Sequence, residues 1–137
     1  LGNVADVRPL LSASNLSVLS STAVETFSIA MLESMAMEVP VVASDVGGLR
    51  EAVIPGTSGR IVPIADVKAL REAIRAYIAD DRALLELGRK ARVLTCERFS
   101  VNQMVARTSE VLGNVNHATS VGRSESRSLD IQGSAGD

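Results

Sequence analysis

The fold is decided by residues 25–51, which read ETFSIAMLESMAMEVPVVASDVGGLRE. The first part of this stretch predicts a helix from about Ser28 to Met37. Residues Pro40 to Ala43 predict a strand, because β-branched residues follow a proline that suits a strand start. Gly47 and Gly48 then break the chain, and a short helix follows in our prediction. The stretch therefore predicts a helix, a strand and a turn in direct succession.

Apolar runs on either side of this stretch predict two more strands, at Leu16 to Leu19 and at Ile61 and Val62. Turn residues at 55–59 precede the last of them. Helical segments separate the three strands. We therefore expect an α/β fold with a Rossmann-like parallel sheet flanked by helices.

The residues after the third strand predict three helices. Asp66 and Ser100 can cap the first and the third, and the second begins near Asp81. Apolar residues recur at steps of three and four, as on the buried face of a helix. They are Val67, Leu70, Ile74 and Ile78 in the first helix, Leu84, Leu87, Ala91 and Leu94 in the second, and Val101, Met104, Val105 and Leu112 in the third.

The folded part is expected to end at Gly113, a typical helix stop. Residues 114–137 have no aromatic side chain, and Ser, Gly and charged residues dominate them. Such a segment cannot bury enough apolar surface to offset the entropy of ordering. We predict a domain over 1–113 and a disordered tail over 114–137.

Composition excludes several classes of protein. The 137 residues, 46% of them apolar, suffice for one core, and a net charge of −2 argues against a nucleic-acid surface. No apolar run approaches the roughly 20 residues that cross a bilayer. A single cysteine, Cys96, excludes an internal disulfide and predicts a reducing, cytoplasmic setting. Because the chain begins at Leu1 without an initiator methionine, we expect it to be a piece of a longer protein.

Two loops are predicted to follow the carboxyl ends of the first two strands, at 20–27 and 44–48. Parallel α/β sheets bind ligands at this edge, so the two loops can share one ligand. The helix that begins near Ser28 presents unpaired N–H groups, which favour a phosphate. Glu33 would reach the ribose of a nucleoside, where a carboxylate can accept two hydroxyl hydrogen bonds. Glu25, before the helix, could bind hydroxyls of a sugar.

Each of these residues also has a plainer structural explanation. Glu25 could only favour the helix dipole, and Glu51 could cap the short helix rather than touch a ligand. Gly47 and Gly48 could form a tight turn only, or allow close approach of a ligand. Phe27 is interpreted as a packing anchor of the loop. His117 has no nearby metal-ligand partner in the sequence, so we expect no metal site.

The run from Glu25 to Glu51 resembles the signature of retaining, nucleotide-sugar-dependent glycosyltransferases of family 4, also called glycosyl transferases group 1. The likeness extends upstream to Leu1, Gly2, Asp6 and Val7, and downstream through residues 59–63 and Asp66 to residues 98–100. It implies that the chain is part of the C-terminal, donor-binding domain of a GT-B fold. By this resemblance Glu33 binds the ribose and Glu25, the catalytic candidate, binds the donor sugar. Backbone groups of Phe27, Ser28 and Ile29, with Gly47 and Gly48 nearby, would approach the sugar and the diphosphate.

The resemblance also implies the chemistry. A sugar would pass with retention from a nucleotide-diphosphate donor to an acceptor hydroxyl, through a front-face displacement without a protein nucleophile. No cofactor and no metal are implied, since no Asp-x-Asp pair occurs. A saccharide or lipid-linked acceptor would bind through a missing N-terminal domain, so this chain alone should be inactive. Relatives of this kind often work at the inner face of a membrane, which adds peripheral association to the cytoplasmic prediction.

The chain departs from the family pattern at three positions. Glu38 stands where a glycine is usual and would need a left-handed conformation that costs roughly 1 kcal/mol. Thr26 and Ser28 replace smaller residues near the predicted sugar pocket. Two other functions stay open: a nucleotide-sugar isomerase or hydrolase of the same fold, and a binding or scaffold module without chemistry.

Overall fold

A computed structural model of the chain describes residues 2, 4–23 and 25–113. Three strands form one sheet in the order in which they occur in the chain, and both pairs are parallel. The predicted parallel sheet is therefore confirmed, with its last strand starting two residues earlier than expected. The strands are β1 (Ser17–Leu19), β2 (Val41–Ser44) and β3 (Gly59–Val62).

Helices precede, connect and follow these strands. Side chains accept first-turn N–H groups at three helix starts: Ser28 from Met31 N, Asp66 from Ala69 N and Asp80 from Ala83 N. The helices are α1 (Arg8–Ser12), α2 (Ile29–Ala36), the 3-10 helix η1 (Gly47–Glu51), α3 (Val67–Ile78) and α4 (Asp81–Arg98). A further helix, α5, covers 101–113, and its predicted cap Ser100 accepts Gln103 N at 3.4 Å.

The sheet lies between two layers of helices. On one face α2 and α4 pack over Val41, Ala43 and Leu49, and on the other face α3 packs over Val42 and Val62. All four residues of β2 are buried, as expected for a central strand covered on both sides. Because β1 and β2 pair in parallel, their carboxyl ends lie next to each other.

The buried face of α3 differs from the predicted one. Leu70 and Ile74 are half-buried as expected, but Val67 is 77% and Ile78 is 58% exposed. A twelve-residue helix is roughly 18 Å long, whereas a four-residue strand spans roughly 13 Å, so both helix ends extend past the sheet. For α4 the predicted face is confirmed, with Leu84, Leu87 and Ala91 buried.

The turn between α2 and β2 lies at the amino end of the sheet. Glu38 has φ = 64°, the left-handed conformation that its place in the sequence predicted. The backbone of α4 comes very close here, because a Cβ at Gly88 would lie 2.0 Å from the Glu38 carbonyl oxygen. Arg92 Nη1 adds an ion pair with Glu38 Oε1 at 3.7 Å. Glycine at 88 is thus a packing requirement of this turn.

The chain divides into two units, Leu1–Phe99 and Ser100–Asp137. In the second unit the helix predicted after Ser100 is confirmed, but its apolar set is exposed, from 53% at Val105 to 70% at Val101. The predicted tail, with His117, lies outside the described residues. Within the described ranges no helix is both long enough and apolar enough to cross a bilayer.

Candidate functional site

The candidate site lies at the carboxyl end of the sheet, where residues 20–28 leave β1 and residues 45–51 leave β2. The two segments touch directly, because the Gly48 N–H donates a hydrogen bond to the Thr26 carbonyl oxygen at 3.0 Å. The expectation that both loops share one edge is confirmed by this contact. Ligands of parallel α/β sheets bind at such an edge.

Gly47 and Gly48 are the points where the second loop presses against the first. A Cβ at Gly47 would lie 1.6 Å from the Glu25 carbonyl oxygen, and a Cβ at Gly48 would lie 2.5 Å from the Thr26 carbonyl oxygen. Gly47 also has φ = 53°, in the left-handed region. Backbone atoms of the first loop therefore occupy the space that side chains at positions 47 and 48 would need, so both positions require glycine.

The turn around these glycines is held on three sides. Leu49 is fully buried in the core below it, and the Asp45 N–H donates to the Val62 carbonyl oxygen at 2.8 Å. On the outer side the Arg50 guanidinium donates to both carboxylate oxygens of Asp45. This bond holds the pKa of the Asp45 carboxyl below its usual range. Our sequence prediction missed this ion pair, although opposite charges five residues apart around a Gly-Gly turn were a signal for it.

The first turn of α2 lies directly after the first loop. Ser28 is buried, and its hydroxyl oxygen accepts the Met31 N–H at 3.3 Å, so that amide is already satisfied. The N–H groups of Ile29 and Ala30 have no acceptor among the residues that the structure describes. Two backbone donors at the positive end of the helix dipole can therefore receive an anion.

Glu33 lies on the exposed side of α2. The opposite side carries Met31 and Met35, both fully buried, whereas Ile29 is 71% exposed and Glu33 is exposed. Residues four apart share a helix face, and four residues rise roughly 6 Å along the axis. Glu33 thus lies on the same open side of α2 as Ile29 and Ala30, about one turn further along the helix.

Phe27 is the packing anchor that we predicted. Its ring centroid lies 5.5 Å from that of Phe99 at an angle of 42°, a favourable aromatic contact, and the ring packs on the cluster around Met31 and Met35. The side chain is thereby committed to the core. Only its backbone is left to approach a ligand.

The two remaining glutamates, Glu25 and Glu51, border the contact between the loops. Glu25 is half-buried, and Glu51 is exposed at the end of η1. Glu51 Oε1 lies 3.7 Å from the position of a Cβ at Gly48. Glu25 therefore meets the Gly47 and Gly48 turn through its backbone carbonyl, and the Glu51 carboxylate lies beside the turn instead of capping the first turn of η1 through a side-chain bond.

Cavities near the site are small. One of about 120 Å³ lies at the carboxyl end of the strands towards α3, with Ser20, Ser44 and Asp66 in its wall. A larger one of about 370 Å³ lies between α3 and α4, beside Tyr77 and Lys90, away from the predicted residues. Among the described residues no three His, Cys, Asp or Glu side chains come together as metal ligands would. The arrangement offers amide donors and carboxylate acceptors on one open surface.

This chain is similar to known glycosyltransferases. Alpha-maltose-1-phosphate synthase of Mycolicibacterium smegmatis is 35% identical over 116 residues, which are 80% of this chain and 30% of the relative. The GDP-mannose-dependent alpha-(1-6)-phosphatidylinositol monomannoside mannosyltransferase of the same organism is 34% identical over 95 residues, 69% of this chain and 25% of the relative. The crystal structure of Anabaena Alr3699/HepE in complex with UDP-glucose gives a TM-score of 0.77 at 30% identity, covering 83% of this chain and 31% of that one.

The similarity covers only part of these relatives. The chain spans less than a third of the length of the curated relatives that it matches. The family described as glycosyl transferases group 1 matches residues 1–80, which hold the whole candidate site. The predicted family and fold class are thus confirmed, and the chain belongs to the glycosyl transferases group 1.

Proposed function

We propose that this chain is part of the donor-binding domain of a retaining glycosyltransferase and that its carboxyl-end surface binds a nucleotide-diphosphate sugar. The observation that carries the proposal is the first turn of α2. It combines two N–H groups that have no acceptor in the described part of the chain, at Ile29 and Ala30, with the exposed residue Glu33 on the same side. Family membership supports it.

In this proposal the parts of the donor lie one after another along the axis of α2. The diphosphate would accept hydrogen bonds from the Ile29 and Ala30 amides, where the helix dipole favours negative charge. The ribose would lie beside Glu33, because a carboxylate can accept hydrogen bonds from both of its hydroxyls. The sugar would lie on the other side of the diphosphate, at Glu25 and the backbone of Phe27. Its C–O bond to the diphosphate is the bond that must break.

In the proposed reaction an acceptor hydroxyl forms the new bond to the anomeric carbon on the same face from which the diphosphate leaves. The departing diphosphate oxygen takes the proton of that hydroxyl, so no side chain needs to act as a nucleophile. The helix-end amides stabilise the negative charge that develops on the leaving group. Glu25 holds the sugar hydroxyls while the bond breaks.

The site in this chain would form one wall of a cleft. The described surface is open, and the cavity beside it, at about 120 Å³, is below the 300–1,000 Å³ that is usual for pockets of small-molecule ligands. We propose that a second domain of the complete protein supplies the opposite wall and the acceptor, a saccharide or a lipid-linked one. Two sequence predictions remain to be tested. The first is that the reaction needs neither a metal nor a cofactor, and the second is a cytoplasmic location, with peripheral association at the inner face of a membrane.

The test is calorimetric titration of the complete protein with UDP, UDP-glucose, GDP and GDP-mannose, together with an assay of sugar transfer. We expect Glu33→Ala to weaken binding of the preferred nucleotide by about tenfold or more, the loss expected when charge-assisted hydrogen bonds are removed. Glu25→Ala should abolish turnover and largely keep nucleotide affinity. Glu72→Ala, which removes an exposed glutamate from α3, is the matched control and should change neither.

Unchanged affinity in Glu33→Ala would contradict the ribose assignment, and near-normal turnover in Glu25→Ala would contradict the role of that carboxylate. The two other functions give different results in the same assays. A nucleotide-sugar isomerase or hydrolase forms product without an acceptor. A scaffold module binds none of the four nucleotides.

A further inference from the structure

The Gly47 and Gly48 turn meets the loop of Glu25 through backbone alone. The Glu25 carbonyl oxygen occupies the place of a Gly47 side chain, and the Thr26 carbonyl oxygen occupies that of a Gly48 side chain. The Gly48 N–H also donates to this second carbonyl oxygen. The absence of side chains at both positions is therefore explained by the neighbouring loop, and no ligand is needed to account for it.

The turn is fixed in the core, whereas the loop that it supports is anchored only after Thr26, by Phe27 and Ser28. Leu49 is fully buried, Asp45 N–H extends the β-sheet bonding to Val62, and the Asp45–Arg50 ion pair joins the two ends of the turn. In the supported loop, Thr26 is exposed and Glu25 is half-buried. Of two segments in contact, the one anchored in the core determines the position of the other.

The nucleotide end of the site is anchored separately. Glu33 and the Ile29 and Ala30 amides are carried by α2, which is held in the core by Met31 and Met35. None of these groups is bonded to the Gly47 and Gly48 turn among the described residues. A change in the turn should therefore reach Glu25 without reaching the phosphate and ribose groups.

We propose that Gly47 and Gly48 are positioning residues that set the place of the Glu25 carboxylate, so that the turn controls contact with the donor sugar but not with the nucleotide. This inference rests on the proposed function. It assigns the two glycines a role in sugar transfer through Glu25, in place of direct contact with the ligand. The Asp45–Arg50 ion pair supports the same turn from its outer side.

The test uses Gly48→Ala in the complete protein, since Gly48 has an ordinary φ and the added methyl would lie 2.5 Å from the Thr26 carbonyl oxygen, whereas Phe27 and Glu51 lie at ordinary contact distances. We expect turnover to fall by about a hundredfold, the cost of displacing a reacting group by about 1 Å. The Kd of the nucleoside diphosphate should stay within about twofold, because the α2 groups are untouched. Gly48→Ala alone should weaken binding of the sugar nucleotide, whereas in a Glu25→Ala background it should change that Kd by less than about twofold, because its effect passes through Glu25.

Gly88→Ala is the matched control, because it places a methyl against another backbone carbonyl far along the chain from the site. It should lower thermal stability and leave the ratio of sugar-nucleotide to nucleotide affinity unchanged. If Gly48→Ala does not fold, Arg50→Gln tests the proposal instead, because it removes the ion pair with Asp45 that supports the turn from its exposed side. That variant should reduce turnover by about twofold to fivefold, with unchanged nucleoside diphosphate affinity, in line with the small energy of a surface ion pair.

Equal loss of nucleotide and sugar-nucleotide affinity in Gly48→Ala would overturn the inference, as would full additivity with Glu25→Ala. In the Arg50→Gln arm, unchanged turnover or a parallel loss of nucleotide affinity would overturn it as well. The proposed function fails in a different way. The wild-type protein would then bind neither UDP-glucose nor GDP-mannose, and the positioning role would fall with it.

Discussion

At both ends of the sheet glycine lets two backbone segments touch, but one contact holds a long helix in place and the other holds a loop. At the amino end Gly88 of the buried face of α4 presses against the turn at Glu38. At the carboxyl end Gly47 and Gly48 press against the loop that carries Glu25. The first contact joins a long helix to the core, whereas the second joins two loops beside an open surface.

The same close packing of glycine against backbone therefore stabilises the core at the amino end of the sheet and positions a loop at the carboxyl end. Around Gly88 lie Leu84, Leu87 and Ala91, all buried, so a displaced helix would disturb the core. Around Gly47, which is exposed, a displacement moves a carboxylate and little buried surface. We therefore expect variants at the amino end to change the free energy of unfolding and variants at the carboxyl end to change ligand binding.

The largest effect on stability is expected for Gly88→Ala. Its methyl would lie 2.0 Å from the Glu38 carbonyl oxygen, so α4 must shift, at a cost of about 3 kcal/mol. Chemical denaturation monitored by circular dichroism measures this change. Gly56→Ala is the control for an added methyl in a glycine turn, because its surroundings are open and only its φ of 73° opposes the side chain. If Gly88→Ala loses no more stability than Gly56→Ala, the proposed difference between the two ends of the sheet is wrong.

A smaller effect is expected for Ser28→Ala at the carboxyl end. The variant leaves the Met31 N–H without its hydroxyl acceptor and should lower the free energy of unfolding by about 1 kcal/mol. It should also weaken nucleoside diphosphate binding, because the first turn of α2 carries the proposed phosphate donors. Asp80→Ala removes an equivalent cap from α4 and should cost similar stability without changing affinity. Equal affinity in both variants would count against the phosphate assignment.

The smallest effect is expected for Glu38→Gly, and it is stabilising. Relief of the left-handed conformation is favourable by roughly 1–2 kcal/mol, against roughly 0.5–1 kcal/mol for the freedom that glycine gains in the unfolded chain. Loss of the exposed ion pair with Arg92 removes a few tenths more, so we expect a net gain of about 0.5 kcal/mol. Ala65→Gly, at φ = 59° without an ion pair, should gain more. A lower unfolding midpoint for Glu38→Gly would show that contacts outweigh strain here.

Local chemistry in the sequence was sufficient to predict most of the fold. The cap residues Asp66 and Ser100 predicted two helix starts, because their side chains act within one turn. The left-handed φ of Glu38 was predicted from the resemblance to the family, in which a glycine is usual at this position. The exposed ends of α3 were not predictable, because the overhang at Val67 and Ile78 depends on strand lengths elsewhere in the chain.

The candidate site was predicted in part. The strand ends predicted that the two loops meet at one edge, since this follows from parallel topology alone. The contact of Gly47 with the Glu25 carbonyl oxygen joins residues more than twenty positions apart, so no local pattern reveals it.

The order of the sheet has a consequence for how the chain reaches its native state. Because β1, β2 and β3 are neighbours both in space and along the chain, each new strand can pair with the one made just before it. Each pairing still closes a loop of about twenty residues, from Ser17 to Val41 and from Val41 to Gly59, so it should form more slowly than the local contacts within a helix. During synthesis we expect this region to assemble stepwise as it leaves the ribosome. Pairing of β2 on both sides would be complete only once Gly59–Val62 has emerged.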